Sequence, residues 1–105
     1  MTNKEKILEK IKTRERNKIV KVFDEDVKIK VFSINELKNF QVDQNVAKVA
    51  EFLAGQFLDP ETNEDIFTPE FILNELTNED SVKLMNVFLE AQGIYLDLEK
   101  QLEKN

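Results

Sequence analysis

The sequence predicts a mainly α, α+β fold: a helical domain carrying one N-terminal β-hairpin. Three observations predict it. Residues 18–23 and 26–32 alternate apolar and charged side chains, the period of a strand with one buried face. Beyond Ser33 the apolar residues recur at spacings of three and four, the period of helices. Capping signals stand in front of several of those periodic runs, among them Ser33 with Glu36 and Thr68 with Pro69. The 105 residues fit one domain, 1–105, divided into a basic N-terminal helix (1–17), the hairpin (18–32) and an acidic helical body (33–105).

The first helix is expected over residues 3–16. Thr2 and Glu5 have the form of a capping box, and Ile7, Leu8 and Ile11 follow on one face. Its other faces carry Lys4, Lys6, Lys10, Lys12, Arg14 and Arg16, either a solvated surface or an arm for an acidic partner. In the hairpin, Val27, Ile29 and Val31 share a face, and Asp24-Glu25-Asp26 reads as the turn. Two strands alone are marginal in water, so that face must pack on helices or extend into another sheet.

Ser33 opens a short helix through Leu37 and Phe40. Asp43 is expected to cap a longer one to Leu58, with Val46, Val49, Ala50, Leu53, Phe57 and Leu58 as its apolar stripe. A polar turn over residues 59–65 leads to a helix capped by Thr68, with Phe71, Ile72 and Leu76 pointing inward. Asn78, Glu79 and Asp80 start the last helix, whose seam of Leu84, Phe88, Ala91, Tyr95, Leu98 and Leu102 runs through Gly93 in phase. Gly93 either ends the helix at Gln92 or kinks it, and that continuity favours a kink or a break followed by a collinear segment. The eight phenylalanines read as core.

Composition narrows the chemistry. The chain has no histidine and no cysteine, which removes the commonest general base, the usual zinc ligands, the thiol nucleophile and disulfides. Two glycines, far apart, leave no phosphate-cradling loop. The expectation is a protein that is not an enzyme and uses no cofactor. Residues 1–17 hold no apolar run of the signal-peptide kind, and no stretch approaches a membrane span, so a soluble, cytoplasmic protein is expected.

One loop invites a metal. Residues 59–70 place Asp59, Glu61 and Asn63 at alternate positions with Glu70 at the twelfth, much of a calcium-binding loop. Glu64 stands where the loop needs glycine, and Phe67 offers no side-chain oxygen at the ninth position. Calcium is therefore not expected to bind. Acidic pairs such as Asp24/Asp26 and Glu79/Asp80 are better explained as turn and helix-start residues, where negative charge suits the macrodipole.

The net charge of −6 conceals a dipole. Residues 1–39 carry eleven Lys/Arg against seven Asp/Glu, whereas residues 40–105 carry four lysines against fourteen acids. Such a chain suits a basic macromolecular partner, or self-association of basic against acidic surfaces. Nucleic-acid binding is expected to be weak, because the body repels phosphate. Tyr95, Leu98 and Leu102 extend the last seam past the point where a small domain should close, which marks them as candidate partner-binding residues.

Two segments carry a family resemblance: Asp26-Val-Lys-Ile-Lys-Val-Phe-Ser-Ile-Asn-Glu-Leu37, a strand running into a capped helix, and Asp59-Pro-Glu-Thr-Asn-Glu-Asp-Ile-Phe-Thr-Pro-Glu-Phe71, an acidic turn before a helix opened by Phe-Thr-x-Glu. In this order, and with a final amphipathic helix, the chain resembles the tail assembly chaperones of long-tailed, siphovirus-type bacteriophages of Gram-positive bacteria. The resemblance covers residues 18–93 and leaves out the basic N-terminal helix. It implies a non-catalytic protein of the host cytoplasm that coats the tape-measure protein, keeps it soluble and helps recruit tail-tube subunits. The alternative from charge alone is a small acidic regulatory or inhibitory protein acting on a basic macromolecule.

Overall fold

A computed structural model of the chain describes residues 1–40 and 45–94. Its elements run α1 (Asn3–Thr13), β1 (Asn17–Val22), β2 (Glu25–Lys30), α2 (Ile34–Lys38), α3 (Val46–Ala54), β3 (Phe57–Leu58), α4 (Pro69–Glu75) and α5 (Asn78–Ala91). The expected mainly α fold is corrected by this order to a mixed α+β fold: the hairpin is two-thirds of a three-stranded antiparallel sheet, β1-β2-β3. The third strand comes from what reads in the sequence as the end of a helix reaching Leu58. Helix α3 stops at Ala54, with Gly55 as its C-cap and the Gln56 N–H bonded back to the Leu53 carbonyl. Phe57 and Leu58 then lie extended against Ile29 and Lys28. A two-residue strand has no period of its own, so its apolar pair merges into the preceding helical stripe.

Capping chemistry explains the other helix starts. Ser33 accepts from the Glu36 N–H while the Glu36 carboxylate accepts from the Ser33 N–H, a complete capping box. Thr68 caps α4 ahead of Pro69. Asn45 caps α3, accepting from the Ala47 N–H at 3.0 Å. Helix α5 starts at Asn78 as expected, capped by Thr77 in a second reciprocal box with Asp80.

The hairpin turn also departs from expectation. Val22 pairs with Glu25, so Phe23 and Asp24 are the two turn residues, with φ of 51° and 66°. Positive φ at both central positions makes the tight turn whose twist matches the strands. Asn, Asp or Gly ordinarily fills such sites, so Phe23 carries no turn signal and the sequence places the turn one residue late.

One face of the sheet forms the core. Val22, Val27, Ile29 and Phe57 are buried against Ala50, Leu53 and Ala54 of α3 and Leu84, Phe88, Leu89 and Ala91 of α5. Phe88, fully buried, contacts the rings of Phe32, Phe40 and Phe52 at centroid distances of 5.3, 5.6 and 5.1 Å. Burying an aromatic or aliphatic side chain of this size contributes about 1.5–3 kcal/mol, so this cluster dominates the stability. Two phenylalanines fall outside it: Phe23 and Phe71 are exposed, against the expectation that all eight are core.

Helix α5 ends rather than kinks. Gly93 adopts φ of 82°, its N–H reaches the Glu90 carbonyl at 2.9 Å and the Ile94 N–H reaches the Leu89 carbonyl at 2.9 Å. That paired closure, with glycine in the left-handed region, turns the chain out of the helix. The Gln92 side chain fastens this end to the hairpin: its Oε1 accepts from the Phe32 N–H at 2.6 Å and its Nε2 donates to the Lys30 carbonyl at 2.7 Å.

Candidate protein-interaction surface

Helix α1 contributes nothing to the core. None of its eleven residues is buried, and the apolar stripe spaced along it stays in contact with solvent: Ile7, Leu8 and Ile11 are 57%, 46% and 50% exposed. The helix forms where Thr2 caps it, accepting from the Glu5 N–H at 3.2 Å, and it ends at Thr13 because Arg14 turns extended. A helix of this length is marginal on its own in water and gains its stability from whatever covers its apolar face.

The C-terminal end of α1 borders a cleft lined by Ile11, Arg14, Arg16, Phe32 and Ile34. Ile34, the first residue of α2, is almost fully exposed, so the cleft and the α1 stripe make one discontinuous apolar surface edged by cations. Arg16 reaches across it to Glu36 at 2.9 Å. The Glu36 carboxyl is held below its ordinary range, first by the Ser33 backbone N–H, then by the Ser33 hydroxyl, with Arg16 adding a smaller share. This ion pair lies in solvent and positions the α1–β1 junction more than it stabilises the fold.

The acidic loop after β3 is built as a closed turn. The Asp59 carboxylate accepts from the Glu61 N–H at 2.8 Å and the Thr62 N–H at 3.2 Å. The Asp59 N–H bonds the Glu64 carbonyl, and Asn63 takes φ of 62°. A strand, β3, precedes the loop, so it lacks the entering helix of a calcium-binding helix–loop–helix unit. Among the described residues, no three His, Cys, Asp or Glu side chains gather into a group that could hold a metal ion. Among the same residues, no helix is long and apolar enough to cross a membrane.

Tyr95, Leu98 and Leu102, the partner-binding residues expected from the sequence, lie outside the described residues, as does Asp43. Among the described residues, an exposed apolar stripe lies toward the other end of the chain, on α1. No family model, curated protein or solved structure matches this chain.

Proposed function

We propose that this protein is a non-catalytic assembly chaperone that binds a long, partly apolar protein and keeps it soluble. The observation that carries the reading is α1, an amphipathic helix with an uncovered stripe of Ile7, Leu8 and Ile11 and a strongly basic remainder. An exposed apolar stripe rimmed by charge is the usual mark of a protein-binding surface. The resemblance to phage tail assembly chaperones supplies the partner: a tape-measure protein, joined by tail-tube subunits, in the host cytoplasm. The missing histidine and cysteine support a binding role over an enzymatic one. The opposite charges of the two halves support self-association around such a partner.

Co-expression tests this reading. A phage tape-measure protein is produced with and without this chain, and its soluble fraction and co-purification are measured. The reading expects solubility and a stable complex only when both are present. A tape-measure protein that is equally soluble alone, with no complex, would overturn it. Recovery of a basic nucleic-acid-binding enzyme as the stoichiometric partner instead would favour an acidic inhibitor.

A further inference from the structure

The outer edge of β1 is unpaired among the described residues, since β1 ends the sheet order. The register says which groups face outward. The Val31 N–H bonds the Arg16 carbonyl at 2.9 Å, and antiparallel pairing alternates. Lys18, Val20 and Val22 therefore direct their backbone groups toward β2, and Asn17, Ile19 and Lys21 direct theirs to the open edge. Beside that edge runs a groove between β1 and α5. Val20, Val87 and Ala91 line one end of it, and Val22, Leu84 and Phe23 line the other. Phe23 is 58% exposed there and holds the positive φ that a phenylalanine disfavours. Strained residues persist where the surroundings or a function hold them.

We infer that this edge and groove accept an extended peptide strand of a partner protein, one that alternates apolar with acidic residues. The incoming backbone bonds the free N–H and C=O groups of Asn17, Ile19 and Lys21. One set of its side chains enters the groove over Val20 and Val87, and the other set lies on the outer face of the sheet. Lysines prevail among the β1 and β2 residues of that face: Lys21, Lys28 and Lys30 share it with Ile19, against Asp26, which is bonded to Lys21 at 3.1 Å. β1 carries no acid and places Lys21 on that face and Lys18 on the groove side, so acidic residues suit the positions beside Lys21. The same lysines disfavour a second copy of β1, because edge lysines repel a like strand. Strand addition draws affinity from main-chain bonds and selectivity from the alternate side chains. The inference depends on the hairpin and α5, and it stands or falls separately from the role of α1.

The test uses the full chain and a blocked peptide that alternates valine with aspartate and glutamate. In the free protein, the amides of Ile19 and Lys21 should exchange fast while those of Val20 and Val22 are protected. Adding the peptide should protect Ile19 and Lys21 and shift Val87 and Ala91. Ile19→Pro removes an outward N–H and no β1–β2 bond, so it should fold and bind about tenfold more weakly. Methylating the edge-facing amides of the peptide should abolish binding to the unaltered protein, a control independent of the proline variant. Replacing the acids of the peptide by lysine should also abolish binding. Protected Ile19 and Lys21 amides in the free chain would overturn the inference, since the edge would already be taken. Equal binding of the acidic, basic and methylated peptides would overturn it as well.

Discussion

Gln92 gives a quantitative test of how the helical layer is tied to the sheet. Its amide reaches from the end of α5 to both Lys30 and Phe32, sixty-two and sixty residues away in sequence. Gln92→Ala removes both bonds. The Phe32 N–H is partly buried and is left without its acceptor, whereas the Lys30 carbonyl is exposed and can turn to water. An orphaned, partly buried donor costs about 1–3 kcal/mol, and the replaced carbonyl bond costs ~0.5 kcal/mol at most. In a domain near 100 residues that corresponds to a fall in Tm of roughly 6–20 °C. Gln92→Glu keeps the acceptor for Phe32 but sets a carboxylate oxygen against the Lys30 carbonyl, which must turn to water, so it should recover part of the stability that Gln92→Ala loses. Urea or thermal unfolding of the three proteins measures this. The reasoning fails if Gln92→Ala unfolds within ~0.5 kcal/mol of the parent, the range of ordinary surface changes. It also fails if Gln92→Glu is as damaging as Gln92→Ala.

Two further predictions concern the hairpin and the start of α2. Phe23→Asn should raise stability by ~0.5–1 kcal/mol, because asparagine tolerates the left-handed turn that costs other L-residues about 1–2 kcal/mol; a lower Tm would show that the exposed ring contributes more than its backbone costs. Glu36, whose folded pKa is depressed, contributes stability above its unfolded value, and that share is lost as pH falls through the folded pKa. Its carboxyl resonance should therefore titrate below 4.5, rise with Ser33→Ala and rise less with Arg16→Ala; a midpoint at or above 4.5 would contradict the capping box.

Much of the local structure was legible in the sequence because it rests on local chemistry. Thr2, Ser33 and Thr68 cap helices in the positions their hydroxyls indicate, and the alternation around Val27 and Ile29 marks a real strand. What escaped has no local sign. Phe57 and Leu58 become a strand only because Ile29 and Lys28 lie beside them. Phe23 occupies a turn that its side chain disfavours. The continuous seam across Gly93 conceals the end of α5, because apolar phase carries no information about φ. Tyr95, Leu98 and Leu102 lie outside the described residues, whereas the exposure of Ile7, Leu8 and Ile11 has no local sign, because it follows only from a core that closes without them.

Whether α1 is a binding helix is tested most directly by Ile7→Asp with Ile11→Asp in the full chain, assayed for capture of the co-expressed tape-measure protein. Neither residue is buried, so the double variant should unfold within ~0.5 kcal/mol of the parent while capture is lost. Capture at the parent level by the folded variant would contradict the account, as would a variant that unfolds.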